Sequence, residues 1–148
     1  MKTLTWPMRK VASIADVDSR ILSQWFSTGM LKYRRDDKHH MGTGVRSGLS
    51  RPRVIEATIV RLLGRYGVPA SRAGRAAFEF TVNGNNGRAA CELFPLGKTA
   101  LVIRQHDAVV ANVDPDARVA DLSNNGVAIV VDLNAIVAHV DAELAKSK

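Results

Sequence analysis

From Ser19 to Phe26 the sequence SRILSQWF places Ser19, Arg20, Ser23 and Gln24 at helical spacing, opposite Ile21, Leu22, Trp25 and Phe26. A helix with that division buries one side and offers hydrogen-bonding side chains on the other. Arginine donates a parallel pair of hydrogen bonds to a guanine edge, glutamine matches adenine, and serine hydroxyls serve either. Lys32, Arg34, Arg35, Lys38 and Arg46 follow in a polar, glycine-bearing segment, and Arg51 and Arg53 open the next apolar-periodic stretch. Cations so placed bind phosphate oxygens, displace condensed counterions and set the register of a protein on a duplex. These eleven residues are the expected contacts to double-stranded DNA: the first four for base edges, the remainder for the backbone.

Other groupings carry less chemistry. Asp36-Asp37 beside His39-His40 resembles a ligand cluster, but adjacent histidines rarely converge on one ion, and the segment reads as a solvated loop tip. Gly97-Lys98-Thr99 has the end of a phosphate-binding loop, yet the pattern needs a glycine five residues before Gly97, where Glu92 stands. His106 and His139 have no nucleophile or acid at a readable spacing, and the single cysteine, Cys91, sits in an apolar run as a small hydrophobe. No catalytic constellation, metal site or cofactor site is expected, and the reading is of a non-enzyme.

The charge is uneven. The chain of 148 residues has a net charge of +7, but residues 1–76 hold 15 Lys and Arg against 5 Asp and Glu, whereas residues 77–148 hold 6 against 9. The basic excess belongs to the first half, which is the footprint of a phosphate-binding surface. An apolar fraction of 46% suits a globular chain, and with 5% aromatic residues Ala, Val, Ile and Leu must fill the core. One cysteine excludes an internal disulfide framework, and no apolar run approaches the length of a spanning helix. The expectation is a cytoplasmic protein without a membrane partner.

The elements that must position the basic residues are readable from periodicity. A helix is expected over Met8–Ala15, and a second from an Asp18 or Ser19 cap to about Thr28 with Gly29 just beyond its end. Leu31–Arg34 is expected as a strand of a hairpin with a long tip through Gly42–Gly48. Ser50 then caps a third helix whose stripe is Val54, Ile55, Ile59, Leu62 and Leu63, and a fourth helix starts near Ala70 and runs to Ala77 or Phe80. After the turn at 83–87, strands are expected over Ala89–Phe94, Thr99–Arg104, Ala108–Val113 and Val127–Asp132, with turns at 105–107 and 124–126. A helix over Leu133–Ala145 closes the chain.

Helix, tight turn, helix and basic hairpin are the parts of a winged helix-turn-helix in order. Val17-Asp18-Ser19-Arg20-Ile21-Leu22-Ser23-Gln24-Trp25-Phe26, followed by Gly29-Met30-Leu31, resembles the turn, recognition helix and Gly-Leu exit of the MerR-type winged-helix domain and of related excisionases and phage small terminase subunits. The segment Leu49 to Pro69 resembles the helix pair after the family's wing. The likeness covers about residues 8–80, with the family's Arg-Tyr-Tyr replaced by Ser23-Gln24-Trp25. It implies a winged helix-turn-helix over 1–82; the strand and helix pattern that follows is expected to form a small α+β domain with a C-terminal helix over 83–148 that dimerises or binds a partner or ligand, so that the whole chain is α+β. The implied function is a DNA-binding transcriptional regulator acting as a homodimer. The alternatives are a DNA-architectural factor of the excisionase or small-terminase kind, and an adaptor whose helix-turn-helix binds protein.

Overall fold

The structure, a computed structural model, describes residues 4–37, 48–123 and 126–146. Its described residues form six helices and two small antiparallel sheets, an α+β chain with a C-terminal helix. The chain divides into two compact units, Met1–Gly74 and Arg75–Lys148. Lys38, His39, His40, Arg46 and most of the expected 124–126 turn lie outside the described residues.

The first unit contains β1 (Trp6–Pro7), α1 (Met8–Ala15), α2 (Ser19–Ser27), β2 (Gly48–Leu49), α3 (Arg51–Gly64) and the start of α4 (Ala70–Thr81). The apolar side of α1, Val11, Ala12, Ile14 and Ala15, is buried, and α1 packs against both α2 and α3. In α3 every residue from Arg53 to Val60 is buried, so the helix is enclosed well beyond the single stripe its periodicity suggests. The enclosed charges, Arg53 and Glu56, are three apart and meet at 2.9 Å, so each offsets the burial of the other.

The expected strand at Leu31–Arg34 does not form. Leu31 N donates to the Trp25 carbonyl at 3.0 Å, and Arg34 N donates to Asp37 Oδ2 at 2.7 Å, which directs this segment back onto α2 and into a turn. The strand that meets β2 is β1, with Trp6 opposite Leu49 and Pro7 opposite Gly48.

The second unit contains β3 (Lys98–Ile103), β4 (Ala108–Val113), α5 (Val119–Leu122), β5 (Ile129–Asp132) and α6 (Leu133–Ala145). The strand order is β4-β3-β5, all antiparallel, so Val102 on β3 lies between Val109 and Val130. Residues Thr99 to Ile103 are buried, consistent with a central strand covered on both faces, and α6 packs against it. The short helix α5 is additional to the expected elements; the Arg118 N–H donates to Asp121 Oδ2 at 2.9 Å across its first turn. Among the described residues no helix is long and apolar enough to cross a membrane.

Residues 89–94, expected as a strand, run instead around a buried arginine. Arg88 is 4% exposed. Its Nη1 donates to the carbonyls of Phe80, Ala89 and Glu92 at 3.2, 3.0 and 3.2 Å, and its Nη2 to those of Glu79 and Asn83 at 3.3 and 2.7 Å. Nε donates to Asn85 Oδ1 at 2.9 Å, and the guanidinium carbon lies 5.2 Å from the Phe80 ring centre and 5.9 Å from that of Phe94. Carbonyls turned toward a cation are lost to a β-ladder, and Cys91, at φ 64°, breaks the extended backbone in the middle of the run. Burial lowers the guanidinium pKa, while the neighbouring Cys91 acts the other way and favours the cation. Arg88→Leu removes the donor from five backbone carbonyls at once. It is expected to lower the urea-unfolding free energy by about 3 kcal/mol or more, and a loss below about 1 kcal/mol would show that water replaces the guanidinium there.

Candidate nucleic-acid interface

The turn between α1 and α2 determines where α2 projects. Asp16 ends α1 in the left-handed region at φ 58°, and its backbone N–H donates to the Ala12 and Ser13 carbonyls. Two arginines of α3 and its end grip this residue: Arg61 Nε donates to the Asp16 carbonyl at 2.7 Å, and Arg65 forms an ion pair with the Asp16 carboxylate. Asp18 then caps α2, accepting from Arg20 N at 2.8 Å. At the far end Gly29 adopts φ 80°, the left-handed exit expected of a glycine after a helix. Gly74 of α4 abuts this exit; a Cβ there would stand 2.6 Å from the Met30 carbonyl oxygen, so only glycine allows the approach.

Anchored in this way, α2 buries Leu22 completely and half-buries Trp25 and Phe26. Ser19, Arg20, Ser23 and Gln24 are all exposed. Arg20, Ser23, Gln24 and Ser27, at i, i+3, i+4 and i+7, share one face. Ser27, absent from the expected set, belongs with these residues, and the same helical spacing identifies it. Its Oγ donates to the Gln24 carbonyl at 3.1 Å, as Thr28 Oγ1 does at 2.8 Å, so the last turn of the face is closed by its own hydroxyls.

The basic segment after α2 is joined to the unit at two points. Tyr33 packs on Phe26, ring centres 4.6 Å apart, and the Asp37 carboxylate accepts from Arg34 N (2.7 Å), Ser50 N (2.7 Å) and Ser50 Oγ (2.8 Å). One side chain therefore ties residue 34 to residue 50, on either side of the intervening segment. Lys32 and Arg35 are exposed, while Arg34 and Arg51 are half-buried. Arg53 leaves the expected set of phosphate contacts: it is 2% exposed, its Nη2 meets Glu56, and its Nη1 donates to the Lys32 carbonyl at 3.4 Å. Of the expected residues, Lys38 and Arg46 lie outside the described part of the chain.

The acidic side chains of this unit are used internally. Asp16 pairs with Arg65, Asp18 caps α2, Asp37 ties the basic segment and Glu56 is buried against Arg53. Among the described residues, Asp36 is the fifth of the 5 carboxylates in residues 1–76. A second feature lies beside α2: a cleft of about 410 Å³ lined by Ile21, Trp25, Val60 and Val68, with Asp16, Asp18 and Arg61 at its polar positions. Ile21, expected in the core, is 45% exposed on its wall.

Asp37→Ala removes three accepted hydrogen bonds and is expected to speed amide exchange at Arg34 and Ser50 by roughly thirtyfold, equivalent to about 2 kcal/mol. Unchanged exchange at both amides would mean that the carboxylate does not hold the segment. No family model matches the chain, and no curated protein sequence matches it.

Proposed function

We propose that the first unit is a winged helix-turn-helix that binds double-stranded DNA, with α2 as the recognition helix, and that the chain acts as a transcriptional regulator in dimeric form. The observation that carries this reading is the α2 face of Arg20, Ser23, Gln24 and Ser27: exposed, free of acid and backed by the buried Leu22. Such a face matches a major groove in width and in hydrogen-bonding chemistry, with arginine and glutamine able to read guanine and adenine edges. The pairing of Asp16 with Arg65 and of Glu56 with Arg53 supports it, because those two carboxylates are matched to cations other than the exposed Arg20, Lys32 and Arg35. The order helix, turn, helix and basic segment, in α1, α2 and residues 32–35, follows the MerR-type pattern as far as its wing.

A second reading, a protein-binding adaptor, is favoured by one observation, the apolar cleft with the exposed Ile21 beside the same helix. The two readings differ in their response to salt. Fluorescence anisotropy of the full chain with a mixed pool of duplex DNA is expected to show a steep fall of affinity with salt. Arg34→Ala/Arg35→Ala/Arg46→Ala is expected to flatten that slope by about 0.9 for each phosphate the variant no longer neutralises. Arg20→Ala and Gln24→Ala are expected to weaken binding to a selected site by about 1–3 kcal/mol each, with relaxed preference at the base read. Absence of binding at about 100 mM salt, below the level at which non-specific binders are detected, would favour the adaptor.

A further inference from the structure

The second unit ends its sheet in two different ways. On β4, Asn85 Nδ2 donates to the Val110 carbonyl at 2.8 Å and Asn112 Nδ2 donates to the Leu96 carbonyl at 2.9 Å, so side chains and a loop engage that edge strand. Among the described residues β5 is the other edge, paired with β3. Residues 126–131, GVAIVV, contain no charge and no proline, the usual means of blocking an edge, and Val127 and Val130 are 75% and 49% exposed. An edge of this kind accepts another strand through its main-chain groups.

We propose that β5 is the surface through which two copies of this chain associate, pairing antiparallel about Val130 to form one continuous six-stranded sheet. The sequence is compatible with itself in this register. A two-fold axis at Val130 sets Val130 opposite the same residue of the second copy and Ala128 opposite Asp132, so the two Asp132 carboxylates are kept apart. The β3–β5 register, with Ile103 opposite Ile129 and Val102 opposite Val130, extends to place Arg104 beside Ala128. Each Asp132 therefore falls in line with the partner's Arg104, with only the small Ala128 side chain between them. Arg104 is already oriented by Asp107, through Nε–Oδ1 and Nη2–Oδ2 contacts of 2.8 and 2.9 Å, and its side chain is 18% exposed. A neutral apolar centre with opposite charges in one row at each end fits a second copy better than a charged peptide.

The inference rests on the sheet and deepens the dimeric form of the proposed function: a monomeric chain that binds DNA removes the dimer and leaves DNA binding in place, and a dimeric chain that ignores DNA leaves the inference intact. Light scattering of the full chain up to about 100 μM, a range that covers the micromolar affinities of modest interfaces, is expected to approach twice the 16.1 kDa chain mass. Val130→Lys and Val130→Glu each oppose like charges across the axis and are expected to associate roughly tenfold more weakly or worse. Mixing the two is expected to restore the dimer, and circular dichroism confirms that both are folded. Val130→Cys, close to valine in size, is expected to cross-link to itself under mild oxidation. Wild-type chain that stays at monomer mass, a folded Lys or Glu variant that dimerises like wild type, a folded pair that does not recombine, or a Val130→Cys chain that does not cross-link would overturn the proposal.

Discussion

At Asp16 the backbone enters the left-handed region, and the chain must turn there before α2 can begin. A non-glycine residue in that region is strained unless its surroundings hold it. Here Arg61 and Arg65 hold the carbonyl and the carboxylate of the same residue. Because α3 is enclosed along most of its length, those two arginines project from a fixed support. The direction of α2, the seating of Leu22 and the exposure of the polar face follow from this turn, and the cleft beside Trp25 is bounded by it.

The two units accommodate a buried cation differently. In the first, cations and carboxylates meet in pairs, at Arg65 and Asp16 on the surface and at Arg53 and Glu56 in the interior. An exposed pair contributes little and is screened by salt, whereas an interior pair is costly to break from either side. In the second unit the interior cation, Arg88, is enclosed by main-chain carbonyl oxygens and two aromatic rings. The first arrangement matches Asp16 and Glu56 to cations other than the exposed Arg20, Lys32 and Arg35. The second replaces a stretch of sheet by a loop folded around one side chain.

Much of the fold was legible in the sequence. The bounds of α1, β4 and α6 follow from apolar spacing alone, and the start of α2 follows from Asp18. What escaped was long-range. Nothing near Arg53 in sequence says that its side of α3 faces inward, because that depends on residues 31–34 and the whole unit closing over it. The run 89–94 has strand composition, and only the fold around Arg88 removes it from a sheet. Trp6-Pro7 is too short to read as a strand until Leu49 is brought beside it. Of the candidate interface, the face of α2 was visible except for Ser27, while the role of Asp37 required two residues on either side of it to meet one carboxylate.

Asp132 is both the last residue of β5 and the cap of α6, where its carboxylate accepts from Ala135 N at 3.1 Å. Strand and helix thus share a residue, with no connecting loop to absorb a change in length. An insertion or deletion there would move the cap off the helix or turn every β5 side chain to the opposite face of the sheet. The turn at 105–107 joins β3 to β4 with Asp107 holding Arg104, and it shares no residue with a helix. Length variation among descendants of this chain should therefore accumulate at the hairpin tip and be purged at the strand–helix junction.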